Sequence, residues 1–295
     1  MARNLGNVAS ASSALPGRPR GYHVLGEGEA FAVRDCVCQE GAGSPMFGGE
    51  HPRVRVSVVL SGAFHVRGRE GDAVVGPGSL VLGNRAAPYE YRHVDDGGDR
   101  SLVFDCSEEL LEELLRSLGL RARVERPFER ICVPASVGSA EAAVLALRAL
   151  EGGGAEALRE AAVAVVETAL ARGRDTGGGL PRVSEPQARR IARTLRYIET
   201  HGAEDCSLET LAHVAGLASF HFLRVFRAMT GQTPRQVVIA TRLRLAATSL
   251  RVTHAPVTEV ALEAGFGDLS HFTTSFTRAF GLSPRAYRSR ALGRG

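Results

Sequence analysis

Two cysteines separated by one residue, Cys36 and Cys38, are the first groups in this 295-residue chain whose type and spacing could do chemistry. In an extended segment alternate side chains share a face, so both thiols point one way and Phe31, Val33 and Val37 the other. His51, His93 and Cys106 fall on or beside neighbouring segments of the same character. Thiolate and imidazole together suit a zinc-like metal ion, with Cys36, Cys38, His51 and His93 as the expected ligands, and clustered thiols also suit oxidant sensing. The alternative is that small thiols fill a core and the histidines lie on the surface. The five cysteines are odd in number and scattered, which is not a disulfide framework.

The elements that must position these groups are short strands. From about residue 29 to 106, alternating runs are broken by turn residues every 8–12 positions, which predicts an antiparallel sandwich or barrel. Val54, Val56 and Val58 alternate with Arg53, Arg55 and Ser57, and Tyr89, Tyr91 and the inward valines offer an apolar lining for a small effector. After Cys106 the period changes to 3.6. Ser107 caps a helix carrying Leu110, Leu111, Leu114, Leu115 and Leu118, stopped at Gly119. Two further helical runs, 139–151 and 155–172, either pack on the barrel or form a dimerisation face.

A chain of this length divides into two domains. The expected order is a mobile tail at 1–20, a β-rich domain with trailing helices at 21–172, a Gly/Pro-rich linker at 173–187, and an all-α domain at 188–295. The fold class is therefore multidomain α and β. No stretch approaches the roughly 20 apolar residues of a membrane span, and the first twenty residues lack the apolar core of a secretory signal, so a cytoplasmic location with no membrane partner is expected. All 36 basic residues are Arg. Residues 188–295 hold 15 of them against 7 acids, whereas residues 1–187 hold 21 against 25, which points the C-terminal part towards a polyanion.

That basic third contains a repeat. Gly216 matches Gly265 at a spacing of 49, after which Phe222, Phe226, Gly231 and Pro234 match Phe272, Phe276, Gly281 and Pro284 at a spacing of 50. Each copy reads as a short helix, a Gly-bearing turn and a second helix, with Ser219 and Asp268 as the expected N-caps, and the second turn is one residue longer. The Phe pairs at i, i+4 place two rings on one buried face. The run from Gly265-Phe266-Gly267-Asp268 through Ser270-His271-Phe272 and Phe276 to Gly281-Leu282-Ser283-Pro284 and Tyr287-Arg288 resembles the signature of AraC/XylS-type transcription regulators. Ser207-Leu208, Ala212, Ala215-Gly216, His221 and Arg224 resemble the first half of that domain, with Phe222 in place of the usual Leu.

The resemblance implies a sequence-specific transcription regulator in which two helix-turn-helix units, joined by a helix at about 234–251, read successive major-groove segments of promoter DNA. RNA polymerase, a second copy of the chain and a small-molecule effector are the further partners it implies. With the Phe pairs buried, Phe220, His221, Leu223 and Arg224 face the groove in the first unit and Ser270, His271, Thr273 and Thr274 in the second. Arg224 is the strongest base-reading group, because a guanidinium can bond guanine O6 and N7 together. Arg227, Arg244, Arg278 and Arg285 are phosphate contacts or solvated charges. Gly71-Asp72, Gly76-Pro77-Gly78 and Leu80 resemble the strand-turn-strand of a cupin-like sensor barrel. The chain lacks the clustered His-x-His, downstream Glu and further His of an enzymatic cupin, so no catalysis is expected. The competing class is a cupin-type metalloenzyme with an accessory DNA-binding domain.

Overall fold

The structure, a computed structural model, describes residues 21–150, 154–174 and 184–292. The tail expected at 1–20, residues 151–153 between the two expected helical runs and most of the expected linker lie outside the described residues. The N-terminal part contains β1 (Tyr22–Glu27), β2 (Phe31–Cys38), β3 (Phe47–Glu50), β4 (Val54–Gly62), β5 (Phe64–Gly68), β6 (Gly71–Val75), β7 (Leu80–Gly83), β8 (Pro88–His93) and β9 (Asp99–Cys106). Helix α1 (Glu108–Ser117), the short β10 (Cys132–Val133), and helices α2 (Ala140–Leu150) and α3 (Gly154–Arg172) follow. The strands form two antiparallel sheets, one of six strands in the order β1-β2-β9-β4-β7-β10 and one of four in the order β3-β8-β5-β6.

Alternation along β4 explains how the sheets are covered. Val54, Val56 and Val58 turn outward onto the helices, joining Leu111, Leu115, Ala146, Val165 and Leu170 in one core. Val59 faces the other way and packs with Phe64, Val66, Val75 and Val81, residues drawn from both sheets. Helix α1 is capped by Ser107, whose hydroxyl accepts from the Leu110 N–H at 3.2 Å, and ends before Gly119 at φ 65°. A left-handed backbone there is what glycine supplies at least cost.

The remaining described residues are helical: α4 (Glu185–His201), α5 (Leu208–Ala215), α6 (Ser219–Thr230), α7 (Pro234–Val252), α8 (Val257–Glu263), α9 (Leu269–Phe280) and α10 (Pro284–Leu292). Helix α4 starts inside the stretch expected to be linker, because Ser184 takes the N-cap position and Pro186 a first-turn position where its missing N–H is not needed. Among the described residues no helix is long and apolar enough to cross a membrane.

The two parts pack directly. Ile191, Leu195 and Ile198 of α4 share a core with Ala63, Val74 and Val94 of the β-rich part and with Phe222 and Phe226 of α6. Arg196 donates to the Asp95 carboxylate at 2.8 and 3.0 Å and to the Gly98 carbonyl at 2.9 Å. The Glu199 carboxylate accepts from the Gly62 N–H at 3.1 Å. On the other side Ala140 and Val144 of α2 join the core under α7, α8 and α9. This packing corrects the expectation for Arg244. It is only 9% exposed, bonded to the Thr241 hydroxyl at 3.1 Å, and neither a phosphate contact nor a solvated charge. Burial draws its pKa down to about 10, the direction expected of a cation taken out of water.

Candidate nucleic-acid interface

The two helix-turn-helix units are built by one backbone device used twice. In α5–α6, Gly216 ends α5 at φ 63°, its N–H bonds the His213 carbonyl at 2.9 Å, and the Leu217 N–H bonds the Ala212 carbonyl at 3.0 Å. In α8–α9, Gly265 lies at φ 91°, its N–H bonds the Leu262 carbonyl at 2.9 Å, and the Phe266 N–H bonds the Ala261 carbonyl at 2.9 Å. Both are helix stops in which a left-handed residue lets the chain bond back to the last carbonyls and leave at a steep angle.

The buried faces also repeat. Phe222 and Phe226 are fully buried with ring centroids 5.4 Å apart, and so are Phe272 and Phe276, again at 5.4 Å. The start of the second helix differs between units. Asp268 caps α9 by accepting from the Ser270 N–H at 2.8 Å. The expected cap Ser219 is instead the first residue of α6, and Ala218 takes the cap position with no side-chain bond. The 50-residue register pairs Ala218 with Asp268, so the first unit lacks a side-chain cap at the position where the second has one.

With the Phe pairs inward, the opposite faces of α6 and α9 look outward. On α6, Phe220 is 89% exposed, a large cost for an aromatic ring left in water. His221, Arg224 and Arg227 are also exposed and Leu223 is half-buried. These five residues and Ala228 line one open concavity of about 820 Å³. On α9, Ser270, His271, Thr274 and Arg278 are exposed and Thr273 is half-buried, while the His271 ring leans on Phe266 at 5.8 Å between centroids. Helix α7 joins the units. Its 19 residues span about 28 Å at about 1.5 Å each.

Two arginines that sequence reasoning passed over hold this frame in place. Arg190 donates to the Ala215 and Gly216 carbonyls at 2.9 and 2.6 Å, fastening the first turn to α4. Arg242 donates to the Gly202 and Glu204 carbonyls at 2.7 and 2.8 Å, fastening α7 to the end of α4. Sequence carries no signal for this, since an arginine that caps a carbonyl and one that meets a phosphate look alike.

Of the four expected metal ligands, the structure brings two together. Cys38 Sγ lies 3.2 Å from His93 Nε2, and the third member of the group is Asp99, whose Oδ2 is 3.2 Å from His93 Nδ1. The Asp99 carboxylate, then Cys38, hold the His93 imidazole charged up to about 10. Cys36 shares a face with Cys38 as expected but stands outside this group, and burial pushes its thiol up to about 12. His51 also stands outside. It stacks on Tyr89 at 4.3 Å, and burial, then Arg55, lower its pKa to about 3. Cys106 packs on the helix side with Val33 and Phe104, away from the other thiols. The reason for the difference is register: the antiparallel pairing of β2 with β9 sets Cys38 opposite Asp99, a partner that sequence spacing does not reveal.

Comparison with known proteins bears on the helical part. A family described as a helix-turn-helix domain matches residues 211–290. The HTH-type transcriptional activator RhaS of Enterobacter sp. (strain 638) is 39% identical over 99 residues, 34% of this chain and 36% of that protein. The probable transcriptional regulator LumQ of Photobacterium leiognathi is 37% identical over 92 residues, 31% of this chain and 37% of that protein. The chain thus spans only about a third of the length of the curated relatives it matches. Among solved structures, the DNA-binding domain of AdpA in complex with a target DNA is 33% identical with a TM-score of 0.34, covering 36% of this chain and 95% of that one.

The C-terminal third is accordingly a helix-turn-helix domain with two units. Its repeat resembles that of AraC/XylS-type regulators, and the relatives it matches over this part are a transcriptional activator and a probable transcriptional regulator.

Proposed function

We propose that this chain is a sequence-specific DNA-binding regulator of transcription whose helices α6 and α9 enter successive major-groove segments on one face of a promoter. The observation that carries the reading is the repeated frame with its outward faces: two Phe pairs buried at the same spacing, and Phe220, His221, Arg224 and Arg227 of α6 turned to solvent. Phe220, Leu223, Ser270, Thr273 and Thr274 suit apolar or short-range contact with base edges, and His221, Arg224 and His271 suit hydrogen bonding to them. Arg227 and Arg278 suit phosphates, which position the protein without reading sequence. The length of α7 suits groove segments roughly 34 Å apart once the bulk of both units is added.

In this reading the β-rich part is a sensor whose state reaches the first unit through α4, which packs on both. Tyr89 and Tyr91, 4.9 Å apart, and Arg55 beside Asp105 at 2.6 Å are the groups that suit a small effector with an apolar body and a polar end. The protein acts in the cytoplasm as an activator that meets RNA polymerase, and pairs with a second copy. A nuclease footprint with the full chain on DNA flanking its own gene tests the central statement. Two protected segments about one helical turn apart are expected. Binding that is equally strong on every sequence would overturn it.

A further inference from the structure

The DNA-reading surface leaves one cluster of ligating side chains unexplained. Cys38 ends β2 and Asp99 begins β9, where the two are direct cross-strand partners in the larger sheet. His93 ends β8 in the smaller sheet, opposite Phe64. One ligand atom from each of the three lies within 4.8 Å of the others. Cys38 and His93 are buried and the Asp99 side chain is 12% exposed. The Phe47 ring, 5.9 Å from that of His93, adds an apolar wall.

The Cys38–His93 spacing fits an ion. At the usual bond lengths of about 2.3 Å to sulfur and about 2.0 Å to nitrogen, two ligands of a tetrahedral zinc-like centre stand roughly 3.5 Å apart, and Cys38 Sγ and His93 Nε2 stand 3.2 Å apart. Thiolate, imidazole and carboxylate together select a borderline-soft divalent cation over magnesium or calcium, which prefer oxygen alone. We propose that Cys38, His93 and Asp99 bind one zinc-like divalent ion, with the fourth position taken by water or a small ligand. On binding, the Cys38 thiol and the charged His93 imidazole each give one proton to solvent, so Cys38 bonds as thiolate, His93 through the ring nitrogen so freed, and Asp99 through its carboxylate. No electron is transferred.

The place of the site gives the ion a consequence. His93 and Asp99 bracket the loop 94–98, and that loop is where α4 rests: Arg196 grips Asp95 and the Gly98 carbonyl, and Val94 packs with Ile191 and Leu195. An ion tying β8 to β2 and β9 fixes both ends of this loop, and so steadies the helix that carries the first helix-turn-helix unit.

The test uses the reduced, chelator-stripped full chain and cobalt(II), which shares zinc's coordination preferences and reports a thiolate bond by its charge-transfer absorption. No DNA is involved, so the outcome is independent of the regulatory reading. One equivalent of cobalt is expected to bind with the thiolate band. Cys38→Ser abolishes the band, the near-isosteric Asp99→Asn and His93→Gln weaken binding by about tenfold or more, and Cys36→Ser retains it. Zinc slows amide exchange in 94–98 and in α4. No thiolate band in the unaltered chain at excess cobalt overturns the site without reliance on any variant, as does a band that survives Cys38→Ser. A band with unchanged exchange in the loop and α4 overturns the coupling to the helix.

Discussion

The first and second helix-turn-helix units share a backbone and almost nothing on the face they present. The α6 face carries Phe220, His221, Leu223, Arg224 and Arg227, long apolar and cationic groups, whereas the α9 face carries Ser270, His271, Thr273, Thr274 and Arg278, mostly short hydroxyls. Their supports differ as well. The first unit rests on Ala63, Val74 and Val94 of the β-rich part through α4, and the second on Ala140 and Val144 of α2. Where the Phe pairs sit, the units are interchangeable, and where solvent begins they diverge. The buried face specifies the frame through packing, and an exposed face costs little to change, so one frame can present two chemically different faces.

The largest effect that could break this comparison lies in the shared core. Phe276→Ala is expected to lower unfolding free energy by about 3–5 kcal/mol, the loss on removing a fully buried ring, and Phe222→Ala by a similar amount. Denaturant titration of the full chain measures both, and a loss under about 1 kcal/mol in either would show that its ring is not structural. Next comes the contrast between faces. Arg224→Ala is expected to weaken specific DNA binding by about 1–3 kcal/mol and relax preference at one base pair, because a bidentate guanine contact is lost. Thr274→Ala, at the equivalent position of α9, should cost under about 1 kcal/mol. Equal losses in a mobility-shift series across mutated operators would make the units equivalent readers.

The turns sharpen the comparison further. At Gly265 an added Cβ meets the Ala203 carbonyl oxygen at 2.6 Å and Cα at 2.8 Å, both backbone, whereas at Gly216 it meets only the movable Arg190 guanidinium at 3.0 Å. Both positions are left-handed, which costs a non-glycine residue about 1–2 kcal/mol. Gly265→Ala should therefore lower the melting temperature clearly more than Gly216→Ala, and the reverse order would remove the structural distinction between the turns. The smallest effect belongs to the support of the first unit alone. Arg196→Ala deletes a part-exposed ion pair with Asp95 and is expected to cost about 0.5–1 kcal/mol. Its signature is faster amide exchange in α4 with α8 and α9 unchanged.

Much of this frame was legible because it repeats. The 49-then-50 spacing of Gly216, Phe222 and Phe226 against Gly265, Phe272 and Phe276 reports a turn lengthened by one residue, and the paired backbone bonds at Leu217 and Phe266 show the insertion falling after them. The outward position of Phe220, His221 and Arg224 follows from helical period once the Phe pair is placed inside. Arg190, Arg242 and Arg244 were not legible in the same way. All three are basic residues in a basic domain, yet two bond to carbonyls of neighbouring elements and the third is buried beneath the β-rich part.

The same division runs through the thiol cluster. Local chemistry determined that Cys36 and Cys38 share a strand face, that Ser107 and Asp268 begin helices and that Gly216 and Gly265 end them, because each depends on neighbours a few residues away. Tertiary structure decided that Cys38 meets Asp99 and His93 rather than Cys36 and His51, and that α4 docks on the loop between those two ligands. Those pairings join residues tens of positions apart. They are set by strand register and by the packing of α4 against the sheets, and a shift of one residue in the β2–β9 ladder would turn the opposing side chain to the other face.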